Sequence, residues 1–245
     1  YSGEHSASYC VDWQTDDFST TAVLPTQPLR QTGHFDPRND NLAGTSGYRP
    51  ICFTDASRQI MAYQADPDTL KTFIDSFYAS GYTSIELGSK WGAALLDPSF
   101  QPIVSGMIND DLVVDDFAGR PYAYHTRDVL KVMIVMSDGA NTDQWFLNDD
   151  FQSGPSNFWY DRATGEWSVL NEDRSAAGEA DAYWHDDDEL YHSAPNGTGP
   201  EQLTWPEVWA IGGVDWFRKN LVSDMLGATA AQAWEDSVYT RLEND

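Results

Sequence analysis

The sequence predicts an α/β fold: a sheet with an interior strand, helices on both of its faces, and long loop and β-hairpin insertions. Three observations carry this expectation. Leu130-Lys131-Val132-Met133-Ile134-Val135-Met136 is short, apolar but for one Lys, and stops abruptly at Ser137-Asp138-Gly139, as a strand buried on both faces does. Asp68 to Ala79 places Leu70, Phe73, Ile74 and Phe77 at helical spacing, and a second helical pattern runs from Thr83 to about Leu96. The end of the chain carries two further apolar stripes at the same period.

Residues 1–65 have no sustained periodicity; Pro25, Pro28, Pro37 and Pro50 among Ser, Thr, Asn, Asp and Gly predict loops and short strands. A loop-rich stretch of that length reads as an insertion. Its Cys10 and Cys52 are the chain's two cysteines, and the count suits either one disulfide in an oxidising compartment or two buried thiols in a reducing one.

Asp66 or Asp68 can cap the first helix, and Gly81 ends it. Thr83 stands at the start of the second, where a hydroxyl is a good cap. Ile85, Gly88, Trp91, Gly92 and Leu95 form its expected inner face, the glycines permitting close approach to the sheet, and Asp97-Pro98 stops it. Phe100 to Arg127 reads as a connection with one hairpin. The strand of Leu130 to Met136 then delivers Asp138 to its carboxyl end, where ligands gather in open α/β sheets; an ordinary Asp-Gly turn would look the same.

Residues 148–200 form an aromatic and acidic insertion. Within it Phe158 to Leu170 reads as a hairpin around Ala163-Thr164-Gly165. His185-Asp186-Asp187-Asp188-Glu189 lacks the ligand spacing of a helix-loop-helix calcium site, and neighbouring Asp side chains on an extended segment point to alternate faces, which argues against one ion site there. Thr204 caps a helix carrying Val208, Trp209, Ile211, Phe217, Leu221 and Met225 up to Gly227. A last helix from Thr229 to about Leu242 turns Ala230, Ala233, Trp234, Val238 and Leu242 to one side.

Composition bounds the function. The chain has 245 residues, with 41% hydrophobic and 13% aromatic, enough to bury a core. Its 39 Asp+Glu against 14 Lys+Arg give a net charge of −25, a field that repels nucleic acid and anionic membranes and attracts divalent cations. Most of these carboxylates are expected to be solvated surface. No apolar run approaches the ~20 residues of a spanning helix, and the chain opens on Tyr1 rather than Met, so it reads as part of something longer.

Two strings carry a family resemblance: Thr83-Ser84-Ile85, Gly88, Lys90-Trp91-Gly92 and Leu95-Leu96-Asp97-Pro98, followed by Lys131-Val132 and Ser137-Asp138-Gly139-Ala140-Asn141-Thr142. Together they resemble a von Willebrand factor A domain, and more closely the TadG-like subfamily of the tight-adherence (Tad) pilus assembly proteins of bacteria. The resemblance runs from Cys10 to Leu242 and is most specific between Gly81 and Thr142. It implies a Rossmann-like sheet, with residues 66–147 and 201–245 as core and the opening and closing strands outside this chain. It also implies a Cys10–Cys52 disulfide, an extracytoplasmic location, and a membrane anchor outside the chain.

By the same resemblance Thr83 and Asp138 would hold Mg²⁺ or Ca²⁺, with Ser137 and Asn141 adjusting the shell around it. An open coordination position would then accept a carboxylate from a protein partner, a pilus or cell-surface component. The family's Asp-x-Ser-x-Ser motif is missing; Asp17-Phe18-Ser19-Thr20-Thr21 has the nearest spacing but lacks the strand before it. The expected function is therefore a non-enzymatic adhesion or assembly module. Two alternatives are a carbohydrate-acting hydrolase, suggested by carboxylates beside Trp159, Trp167 and Trp184, and a passive acidic surface protein.

Overall fold

The computed structural model describes residues 11, 13–30, 40–43, 58–78, 83–137 and 139–242. Cys10, Cys52 and Asp138 lie outside the described residues, and with them the expected disulfide and the expected metal carboxylate. The described chain is mixed α/β and divides into two compact units, one drawn from residues 11–30, 58–78 and 83–144, the other from 40–43 and 145–242.

In the first unit Asp66 caps α1 (Pro67–Asp75), accepting from Thr69 N at 3.0 Å, and the helix stops at Ser76, short of Ala79. None of its residues is buried; Ile74 is 60% exposed, and Phe73 and Phe77 meet edge to face. Helix α2 (Ile85–Leu96) is capped by Ser84, whose hydroxyl accepts from Leu87 N at 3.2 Å, one residue beyond the Thr83 cap the sequence predicts. Leu87, Trp91, Ala94 and Leu95 face a core of Trp13, Val23, Phe100 and Val104. Ile85 and Gly88, expected inward, are exposed. Lys90 is buried on α2, donating to Thr20 O at 2.6 Å with its ammonium 4.9 Å from the Trp13 ring centroid.

Asp97 ends α2 and starts the next turn. Its buried carboxylate accepts from Ser99 N at 2.9 Å, from Tyr124 OH at 2.8 Å and from the Thr21 hydroxyl. Burial alone would raise its pKa, but these three donors together hold it well below the usual carboxylate range. Then α3 (Gln101–Asn109) occupies part of what reads as a connection: Pro102, in its first turn, is compatible with a helix start, and Val104 is buried.

The largest correction is the expected central strand. Residues 130–136 have no regular secondary structure and pair with no described strand, and Leu130, Ile134 and Met136 are 85%, 78% and 89% exposed. An apolar run records a demand for cover, and no described element supplies that cover on two sides. Lys131 tethers the run: its ammonium donates to Leu96 O at 2.7 Å and Tyr122 O at 2.5 Å and sits over the Tyr124 ring. Gly92 does approach this run, which is not the sheet expected there: a Cβ at Gly92 would lie 2.8 Å from Met133 Sδ. Gly88 meets nothing within 4 Å.

The second unit is built on a five-stranded antiparallel sheet with strands β2 (Pro155–Tyr160), β3 (Trp167–Leu170), β4 (Tyr183–His185), β5 (Tyr191–His192) and β6 (Glu201–Thr204) in the order β5-β4-β3-β2-β6. The predicted hairpin is β2–β3, in register Phe158↔Val169 and Tyr160↔Trp167. A two-stranded sheet joins β1 (Gln144–Leu147) to β7 (Tyr239–Leu242), and α4 (Glu172–Ala176) links β3 to β4.

Phe158, Val169, Trp184 and Leu203 form a core with residues of α5 (Trp205–Ile211), α6 (Val214–Phe217), the π-turn Arg218–Val222 and α8 (Ala228–Val238); α7 (Ser223–Leu226) precedes α8. Thr204 and Glu207 make the predicted start of α5, but the expected single helix to Met225 breaks at Gly212-Gly213. In α8 the buried positions are Ala231, Glu235 and Val238, displacing the expected Ala230 and Ala233, and the chain turns into β7 before Leu242. Arg218 Nε lies 2.7 Å from the buried Glu235 carboxylate without the alignment of a hydrogen bond, and its Nη2 donates to Asp215. Among the described residues no helix is long and apolar enough to cross a membrane.

Candidate functional site

The start of α2 and residues 139–144 meet, 59 positions apart in sequence. Thr142 N donates to Thr83 O at 2.9 Å, and Thr83 N donates to the Thr142 hydroxyl at 3.1 Å. Asn141 Oδ1 accepts from Ile85 N at 2.9 Å, while its amide donates to Glu86 Oε1 at 2.6 Å. Gln144 Nε2 donates to Ser84 Oγ at 2.7 Å and Glu86 Oε2 at 3.0 Å. Two of the predicted residues, Thr83 and Asn141, are thus brought together. Ser137 instead closes its own turn, donating to Gly139 O at 2.9 Å.

Ser84 and Thr142, which stand in the two family-like strings, complete the arrangement with Glu86 and Gln144, which carried no signal in the sequence. The Thr83 hydroxyl donates to none of the described residues, and the described side chains hydrogen-bonded at this junction offer hydroxyl, carboxamide and carboxylate groups, with no imidazole or thiol among them. That donor chemistry fits a hard cation such as Mg²⁺ or Ca²⁺. The partial positive charge of a helix start opposes a cation, so carboxylates must offset it, and Glu86 is one such group. Asp17 of the weak motif serves elsewhere: it lies in the 3₁₀ turn Thr15–Ser19 and accepts from Gln14 N at 2.9 Å.

A second constellation is one that sequence reasoning set aside. The charge run is a turn rather than an extended segment. Glu189 N donates to His185 O at 3.0 Å with Glu189 at φ 58°, and β4 and β5 pair as Tyr183↔His192. His185 and His192 therefore share one face of the hairpin as diagonal neighbours. Their rings stack 3.9 Å apart at 14°. The turn carries Asp188 back to them, with Oδ2 2.8 Å from His192 Nε2 and Oδ1 accepting from Leu190 N at 3.0 Å. One ligand atom from each of His185, Asp188 and His192 lies within 4.8 Å of the others, and this group could hold a metal ion. Burial would raise the Asp188 pKa, but the Leu190 amide and the two imidazoles hold it below the ordinary range.

Of the tryptophans that suggested a carbohydrate-acting hydrolase, Trp167 and Trp184 are buried in the core and Trp159 is half-buried against Tyr183. The chain matches no family model, no curated protein and no solved structure.

Proposed function

We propose that the chain is part of a non-enzymatic, extracytoplasmic adhesion or pilus-assembly module of the Tad type, a von Willebrand A-like protein whose partner site depends on a divalent cation. The observation that carries this reading is the hydrogen-bonded junction of Thr83, Ser84 and Glu86 with Asn141, Thr142 and Gln144. The two strings that resemble the family meet in space although one of the intervening strands expected of it is unpaired. Thr83 and Asp138 would hold Mg²⁺ or Ca²⁺, Asn141 orients the first turn of α2 beside it, and the ion supplies an open position for a partner's carboxylate.

The test is retention of the protein on purified Tad pili in Mg²⁺ and in EDTA, with Thr83→Ala/Asp138→Ala alongside. Retention that needs Mg²⁺ and is lost in the double variant, with circular dichroism unchanged, supports the reading. Retention indifferent to both would sink it.

A further inference from the structure

We propose that His185, Asp188 and His192 form a second metal site, one that takes Zn²⁺ or a similarly borderline transition-metal ion. It is separate from the partner site proposed above and stands whether or not that reading holds.

Two imidazoles and one carboxylate are the donor set of three-ligand zinc and non-haem iron sites, and they select against Mg²⁺ and Ca²⁺, which prefer all-oxygen shells. The support for these donors is built into the fold. His185 is buried in β4, and one of its ring nitrogens lies 2.8 Å from Ala194 O. A carbonyl only accepts, so that nitrogen carries the proton, and the other is the one that binds an ion when the ring is neutral. This is the outer partner that metal-ligating histidines ordinarily have.

Asp188 is fixed from the opposite side by Leu190 N, which occupies Oδ1 and leaves Oδ2 toward His192. A metal ion arriving there displaces the proton shared between Asp188 and His192, which leaves to solvent. Tetrahedral zinc with bonds near 2.0–2.1 Å sets its ligands about 3.3 Å apart. The 4.8 Å spread must therefore contract. The two ligands that have to move, Asp188 and His192, are the more exposed ones, and the His192 ring must turn out of its stack on the buried His185 so that both in-plane lone pairs meet the ion. With three protein donors the ion keeps at least one position for water or an external ligand.

The experiment is calorimetric titration of the EDTA-stripped chain with Zn²⁺ alone near neutral pH, repeated with Mg²⁺ present in excess. The expected result is one tight equivalent of Zn²⁺ that Mg²⁺ does not displace. His192→Ala should remove that equivalent, and Asp188→Asn, which is exposed and nearly isosteric, should weaken it at least about tenfold. His125→Ala, a change outside the hairpin, should leave it intact. Imidazole NMR signals of His185 and His192 should shift on the first equivalent, a readout that holds even if His192→Ala is poorly folded. No tight equivalent in the parent chain, an equivalent that persists in His192→Ala, or zinc-induced shifts confined to other histidines overturns the proposal.

Discussion

The carboxylate of Asp161 occupies the space that a side chain at Gly197 would need: a Cβ built there meets Asp161 Cβ at 2.6 Å and Cγ at 2.7 Å. Gly197 also holds φ at +104°, outside the range L side chains favour. Gly197→Ala is therefore expected to lower stability by about 2–4 kcal/mol, from backbone strain and overpacking together, as read by denaturant unfolding. A loss below 0.5 kcal/mol, the ordinary size of a surface change, would mean that the loop carrying Gly197 is not seated on Asp161.

Asp161 itself is buried and accepts from four backbone amides, Ala163 N (2.8 Å), Thr164 N (3.3 Å), Thr198 N (2.6 Å) and Gly199 N (2.9 Å). The Gly199 and Ala163 amides lead in holding its pKa below the ordinary value. The unfolded chain, with a pKa near 3.9, then binds a proton before the folded one does. This contribution is complete above about pH 5 and fades as pH falls through 3.9 toward the lower folded value. Asp161→Asn should flatten the acid limb of a stability-against-pH curve. An unchanged limb would assign that limb to other carboxylates, Asp97 first among them.

Ile134 tests the exposed run of residues 130–136. At 78% exposed, Ile134→Ala should change stability by less than about 0.5 kcal/mol, whereas Phe100→Ala in the same unit should cost about 3–5 kcal/mol. Comparable losses for the two would restore the interior strand that the sequence predicts.

Gly92→Ala separates packing from helix propensity. The close neighbour is Met133 Sδ, the free end of a flexible side chain, so it can move aside, and Ala gains up to about 1 kcal/mol over Gly within a helix. The expected outcome is unchanged or slightly higher stability, accompanied by a shifted Met133 methyl resonance. A loss of 1–3 kcal/mol would show that Met133 is held rigidly against α2.

The features legible in the sequence are those that local chemistry decides. The β2–β3 hairpin follows from aromatic strands around Ala163-Thr164-Gly165, and the start of α5 from Thr204 with Glu207, whose carboxylate accepts from Thr204 N at 2.8 Å. Helix α3 was hidden because Pro102 and Gly106 lower its apparent propensity, although neither breaks it in place. The run 130–136 misled because apolarity specifies a preference for burial while the partner strand must come from elsewhere. At the candidate site, the meeting of Thr83 with Asn141 was legible only through resemblance, since nothing local links residues so far apart. The His185–Asp188–His192 group was invisible because a turn with Glu189 at φ 58° assembles it, and charge runs do not encode backbone reversal.

The exposed run of residues 130–136 also carries two thioethers. Met136 is 89% exposed and Met133 45%, the latter resting against Gly92. Peroxide reaches the outer sulfur first and converts it to a polar, chiral sulfoxide, leaving Met133 the slower of the two. Oxidant exposure thus rewrites the end of the segment next to Ser137 from greasy to hydrophilic, and peptide mass mapping of a peroxide time course would follow that order directly.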